Sequence, residues 1–445
     1  MRSQLEALTR AVFGKKSEKM PPMTREVATP PSRASTTSKR ADRAEAKEKF
    51  VTEEIQHKVE PEARTCPACS REAKPAGTKD SVVLEWVPGY FRRQRHVRET
   101  LACSCGDYIV TAEAPARVFD RSQYGPGFVA HLVVQKCADS IPLYRIEKQF
   151  EHAGIPVSRS TMTDLFHRAG RLVEPLVKRV AAIVKASDLV LADETTHRMQ
   201  SSDKRPYLWT FVAGKFVLYR FALDRSGATP EAVLGDSTGI LLVDAYTGYN
   251  AVTTPERRER AGCLAHARRK FFDASTLSPD ATTALEFIRA VYVVERQAAD
   301  AHLAGTDAHL KMRETASSPI MEKFGVWLSE QSSRHLPQGP MGKAIRYALD
   351  NWTELTRFLE DPKIPPDNNR SEAALRVAAL GRKHFLFVGH KEAGDNLANL
   401  YTLVGTCIAH GIEPTAYLAD VLMRIPTHPA AQIDELLPHR WAPAV

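Results

Sequence analysis

The spacing of apolar positions changes character several times along the chain. In residues 1–20, Leu5, Leu8 and Val12 recur at helical spacing, which predicts one short helix, too short to be stable alone and fitting part of a longer oligomerisation helix. Residues 21–62 are rich in Pro, Ser, Thr, Lys and Glu and poor in large apolar residues, the composition of a disordered linker. A small cysteine-containing module follows over 63–118. Residues 126–185 return to helical spacing. Over 187–250 the pattern switches to short β-rich runs, DLVLADET, YLWTFVAG, KFVLYRFAL and GILLVDAY, with one short helix predicted over 229–235. Residues 265–360 are helical again. PDNNRSEAALRVAAL then opens another helix, and the tail to Val445 is helical with proline breaks.

Three strands, a helix and a strand, in that order, match an RNase H-like sheet. The expected fold is therefore multidomain α+β. An RNase H-like α/β catalytic core lies in two parts, 186–273 and 363–400, divided by a helical insertion over 274–362. A zinc-ribbon-like module (63–118) and a helix-turn-helix-like region (126–185) precede it, and a helical tail (401–445) follows.

Composition narrows the function only modestly. Of 445 residues, 43% are hydrophobic and 26% charged, enough for a large core. The net charge of +8 favours a polyanionic partner such as nucleic acid. No apolar run reaches membrane-spanning length, and the first residues lack the apolar core of a secretory signal. Seven cysteines, an odd number, argue against a disulfide scaffold and fit a reducing cytoplasm.

Four of those cysteines form two close pairs, Cys66 with Cys69 and Cys103 with Cys105, separated by strand-like sequence. A zinc ribbon presents four thiolates in this way, and such a zinc is structural because no coordination position stays open. The second pair is one residue shorter than the usual spacing; the plainer alternative is four unrelated thiols. In IPLYRIEKQFEHAGIPVSRSTMTDLFHRAG two helical patterns flank a turn at Gly154 and Pro156. Ser158 or Ser160 would cap the second helix and set Arg159 and Thr161 at its start, where recognition helices meet DNA. A helical hairpin without a DNA contact fits the same pattern.

Asp193 closes the apolar run LVLA and Asp244 closes ILLV, 51 residues later. A strand buried on both faces releases an acid only at the sheet edge, so two such strands deliver two carboxylates to one edge. Glu372, near the start of the helix opened by DNNRSEAAL, is the expected third acid. It shares a face with Arg376 and Lys383, and a surface Glu372–Arg376 ion pair is the blander reading. Glu194 should point opposite to Asp193, while Asp203 and Asp224 read as turn and loop acids. Hard carboxylate oxygens suit Mg²⁺ or Mn²⁺ and phosphodiester chemistry. Soon after Asp244, the segment ERRERAGCLAHARRKFF carries Arg257, Arg258, Arg260, Arg268, Arg269 and Lys270, read as phosphate contacts; Arg382 joins Arg376 and Lys383 in that role. Cys263 and His266 form a C-x-x-H pair, read as packed core more readily than as a metal site.

Taken together, FGKKSEKM, the CPAC pair, KCADSIPLYRIEKQF, LADET, VDAYTGYN, CLAHARRKF, PDNNRSEAALR, LGRKHFLFVGH and GIEPTAYLADVLMRIP resemble transposases of the insertion-sequence-66 group, from about Arg2 to Trp441. The resemblance implies a DNA transposase acting on terminal inverted repeats and target DNA. Its acidic triad falls on Asp193, Asp244 and Glu372, with 128 residues between the second and third acids. It also implies a zinc-finger-like module at Cys66–Cys105, a homo-oligomer on DNA, and small accessory proteins from the same element, in the cytoplasm at the nucleoid. Leu264 stands where the group commonly has Trp, which bears on local packing. A non-catalytic DNA-binding copy and a plain nuclease are the competing functions.

Overall fold

Four strands lie where the β-rich runs predict them, and a fifth lies in the basic segment read as phosphate contacts. The computed structural model describes residues 89, 91–102, 109–120, 122–200 and 205–443. The expected helix at 1–20, the linker at 21–62, and Cys66, Cys69, Cys103 and Cys105 lie outside the described residues. What is described of the cysteine module is an antiparallel ribbon of β1 (Thr100–Ala102) and β2 (Ile109–Thr111).

Four helices follow: α1 (Pro126–Cys137), α2 (Leu143–His152), α3 (Arg159–Leu172) and α4 (Glu174–Ala186). Ser158, the first of the two expected caps, accepts the backbone N–H of Thr161 and starts α3. Gly154, at φ 77°, makes the turn before it.

The central sheet contains β3 (Leu189–Thr196), β4 (Tyr207–Ala213), β5 (Phe216–Ala222), β6 (Gly239–Leu242) and β7 (Arg258–Ala261), with α5 (Ala228–Leu234) between β5 and β6. Its spatial order is β5-β4-β3-β6-β7. The first three strands are antiparallel neighbours, while β3, β6 and β7 run parallel. The apolar runs of β3, β4 and β6 explain this arrangement. Central strands are covered on both faces, and all but the first residue of β4 is buried.

β7 corrects the sequence reading. RERA lies in the segment read as phosphate contacts, yet successive residues on a strand face opposite sides, so Glu259 is exposed while Arg258 turns inward. Arg258 is fully buried, giving hydrogen bonds to Ser237 Oγ and to the carbonyls of Ile240, Lys185 and Ser187. It ties β7 to the end of α4 and is withdrawn as a DNA contact. Arg260 instead reaches the Tyr246 carbonyl and Asn250 Oδ1.

Helices then dominate: α6 (Leu264–Ala274), α7 (Asp280–Asp300), α8 (Asp307–Met312), α9 (Ser318–Ser332), α10 (Pro340–Asp350), α11 (Trp352–Thr356), α12 (Asn369–Phe385), α13 (Lys391–His410) and α14 (Pro414–Arg424). A π-helical turn, Arg313–Ser317, joins α8 to α9. There Arg313 is 1% exposed, paired with both oxygens of Glu295 and bonded to the carbonyls of Phe358, Asp361 and Ile364. α12 and α13 cover the sheet face that carries Asp193 and Tyr219; Tyr219 donates its hydroxyl to the Ala374 carbonyl of α12. α13 presses so closely on β5 that a Cβ at Gly394 would collide with the Phe221 ring. Leu264 is fully buried, so leucine fills the position where packing was in question.

Candidate active site

Asp193, Asp244 and Glu372 come from three separate elements. Asp193 lies inside β3, where it opposes Thr210 and, through it, Tyr219; opposed residues share a face, so its row lies on the α12 side. Asp244 stands two residues beyond β6, and its Oδ1 accepts the Tyr246 N–H at 3.0 Å, which fixes the turn. Glu372 is in the first turn of α12.

The loop before α12 explains how a residue 128 positions downstream reaches the sheet. Asn368, 1% exposed, donates its Nδ2 to the Ala192 carbonyl at 2.7 Å, one residue from Asp193. Its own backbone N–H points at Cys263 Sγ, 3.2 Å away, while Leu264 N–H reaches the Pro366 carbonyl. α12 therefore starts pinned to both β3 and α6.

Electrostatics supports the grouping. Burial, then the charge of Glu194, then those of Asp244 and Glu372 push the Asp193 carboxyl up to about 7, against the pull of the Glu194 N–H on its Oδ1. The donors are hard carboxylate oxygens, the chemistry that Mg²⁺ or Mn²⁺ takes, although the oxygens of the three acids are not gathered within 4.8 Å of one another.

Glu194 turns to the other side, as expected. Its side chain is 2% exposed, pairs with Arg225 at 2.5 Å and accepts the Tyr249 hydroxyl at 2.7 Å. Burial raises its carboxyl, while Tyr249 and Arg225 oppose that shift. Arg225 also stacks over Tyr246, two residues from Asp244. Sequence reasoning missed this bracing of the β5 and β6 loops, because the partners are 31 and 55 residues from Glu194.

Glu372 and Arg376 form no ion pair among the described residues. The nearest charge partner of Glu372 there is His266, whose Nδ1 lies 3.9 Å from Oε1. Burial pushes the Cys263 thiol up to about 12, against the backbone N–H groups of Asn368, His266 and Ala265. A cleft of about 400 Å³ lined by Arg171, Lys178, Arg220, Glu174, Glu392 and Asp395 contains none of the three acids.

Comparison with known proteins places the chain in a family. Residues 121–396 match the family model "Transposase IS66 family" and residues 402–439 the "IS66 C-terminal element". The chain belongs to the IS66 transposase family. Residues 63–106, which include all four paired cysteines, match the "zinc-finger binding domain of transposase IS66". Two uncharacterized proteins of Sinorhizobium fredii are similar throughout. One, y4jD, is 33% identical over 411 residues, 86% of this chain and 79% of the relative. The other, y4hP, is 30% identical over 408 residues, 85% and 73% respectively.

The cations expected to meet DNA in this IS66 member divide into two groups. Arg376 and Lys383 are exposed on α12, and Arg159 is 66% exposed at the start of α3, paired with Glu147. Thr161 contacts Ser158 Oγ with its hydroxyl. Lys270 lies over the Tyr347 ring at 4.6 Å, and Arg268 is 5.9 Å from the Phe272 ring, beside Arg269, which is also engaged. Arg257 is paired with Glu231 at 2.6 Å. Arg382 is taken up internally: it bonds the hydroxyls of Thr195 and Thr196 and the Thr196 carbonyl, fastening α12 to the end of β3. No helix of the described residues is long and apolar enough to cross a membrane.

Proposed function

We propose that this IS66 family member is a catalytically competent DNA transposase, with Asp193, Asp244 and Glu372 as the acids of an RNase H-like core. The observation that carries the reading is the hydrogen bond from Asn368 Nδ2 to the Ala192 carbonyl, which sets the first turn of α12, with Glu372, beside Asp193 on β3. The strand order, three antiparallel strands continued by two parallel ones, supports the RNase H-like assignment. Bound Mg²⁺ or Mn²⁺ would supply an activated nucleophile and charge relief at the leaving oxygen. The chain's own part is to fix the three carboxylates through Asn368, the Tyr246 N–H and the Glu194 N–H. Cleavage leaves a 3′-hydroxyl, and its attack on a second phosphodiester at the same carboxylates gives strand transfer.

On this reading α2 and α3 contact element-end DNA through Arg159 and Thr161, as a helix-turn-helix does. Arg257, Arg268, Arg269, Lys270, Arg376 and Lys383 meet phosphates. Cys66, Cys69, Cys103 and Cys105 hold a structural Zn²⁺. Bringing two element ends together requires a homo-oligomer on DNA, with accessory proteins of the same element as further partners, at the nucleoid in the cytoplasm.

The test is incubation of purified protein with labelled element-end DNA in Mg²⁺ or Mn²⁺, alongside Asp244→Ala. Joined products that vanish in the variant are expected. Binding without products would make the chain a DNA-binding copy, and cut ends that never join would make it a nuclease.

A further inference from the structure

The C-x-x-H pair, unexplained by the triad, meets it in space. Cys263 Sγ, one ring nitrogen of His266 and a carboxylate oxygen of Glu372 all lie within 4.8 Å of one another. Cys263 precedes the first residue of α6 and His266 is in its first turn; Glu372 arrives from α12, more than 100 residues later. His266 Nδ1 is buried, makes no hydrogen bond among the described residues, and is 3.9 Å from Glu372 Oε1. That spacing is too long for a hydrogen bond and too short for ordinary solvent separation. Cys263 Sγ accepts the Asn368 N–H, the kind of outer contact that steadies a metal-bound thiolate.

We propose that Cys263, His266 and Glu372 form a second metal site, selective for a borderline transition metal such as Zn²⁺, which competes with the triad for Glu372. The donor set makes the choice. One sulfur, one imidazole nitrogen and one carboxylate oxygen suit zinc or cobalt and are foreign to magnesium. A triangle with edges of at most 4.8 Å puts its centre at most about 2.8 Å from each donor, so contraction by about 0.5 Å reaches zinc bonding distances. Cys263 gives up its proton on binding, and the fourth position stays open to water or to a phosphate oxygen. Zinc held here draws Glu372 toward α6 and away from Asp193. The site thus acts as a brake that answers to zinc, and this regulatory consequence rests on Glu372 being the third catalytic acid.

The test uses full-length protein with its cysteine module already zinc-loaded, titrated with Co²⁺. A thiolate-to-cobalt charge-transfer band accompanying one further equivalent of metal is expected. Cys263→Ser should abolish the band, and His266→Ala, at a quarter-exposed position, should weaken cobalt binding by about tenfold or more. A wild-type protein without the band, or a band that persists in Cys263→Ser or is untouched by His266→Ala, overturns the proposal. Zn²⁺ added at fixed Mg²⁺ should suppress DNA cleavage at lower concentration in the wild type than in His266→Ala; equal suppression overturns the braking role. The two readings fail separately. A cobalt band without DNA processing removes the transposase reading alone, and processing without the band removes the zinc site alone.

Discussion

Replacing Asp193 by Asn should stabilise the protein while destroying its activity. A carboxyl that titrates near 7 rather than 3.8 is held ionised above pH 7 at a cost to the folded state. At 1.36 kcal/mol per pH unit, that cost approaches about 4 kcal/mol at pH 8, and halving it for a part-exposed side chain leaves about 2 kcal/mol. The sign follows from proton uptake. Between pH 4 and 7 the folded state holds a proton that the unfolded chain has lost, so stability falls as pH rises through this window and is constant above it. Asn keeps an oxygen for the Glu194 N–H and carries no charge. For about 350 folded residues the unfolding entropy is about 0.7 kcal/mol per kelvin, so Asp193→Asn should raise Tm by about 3 °C at pH 8 in EDTA. At pH 4 the gain should disappear, and Mg²⁺ should raise the Tm of the wild type at pH 8 more than that of the variant. Thermal unfolding followed by circular dichroism reads all three. A variant whose Tm at pH 8 is equal or lower, or whose gain is the same at pH 4, refutes the crowding of charge at this site.

Other outcomes concern the cations. Arg258→Ala removes four hydrogen bonds inside the fold and should cost about 3 kcal/mol or more, read as a lower urea midpoint. Arg313→Ala leaves Glu295 facing a buried gap and should cost about 3–5 kcal/mol by the same assay. Arg376→Ala and Lys383→Ala should leave the stability within about 0.5 kcal/mol of wild type and each lower the salt slope of DNA binding by about 0.9, measured by fluorescence anisotropy. Arg382→Ala should do the reverse, lowering Tm with little change in slope.

Where an element starts or stops is a local signal: Ser158 announces α3, and the run ILLV ends β6 two residues before Asp244. Asp193 departs from that logic, because β3 continues for three residues past it and is the central strand of the sheet, so the acid lies within the sheet rather than at its edge. Cations carry no such signal. Arg257 and Arg258 look alike in ERRERA, yet one pairs with Glu231 on the surface and the other is sealed beneath the sheet. The four-residue β7 has Ala261 as its one apolar residue, so no alternation of apolar positions marks it. Arg382 and Lys383 are likewise neighbours with opposite fates, decided by Thr195 and Thr196, which sequence places almost 190 residues away. Long-range partners also decide the meeting of Cys263 and His266 with Glu372.

Contacts of the same long-range kind hold Glu372 in place despite the long helical segment that separates it from Asp244. The stretch before α12 is held from three directions: Asn368 to β3, Pro366 and the Asn368 N–H to the start of α6, and Asp367 to the Tyr292 hydroxyl of α7 at 2.9 Å. The last of these belongs to the inserted helices themselves. Burial pushes the Tyr292 hydroxyl far above its usual range, so it stays a donor, and Asp367 in turn caps its own turn by accepting the Asn369 N–H. The inserted helices therefore brace the turn that aims Glu372, which on the function proposed above is how they would support the acidic triad.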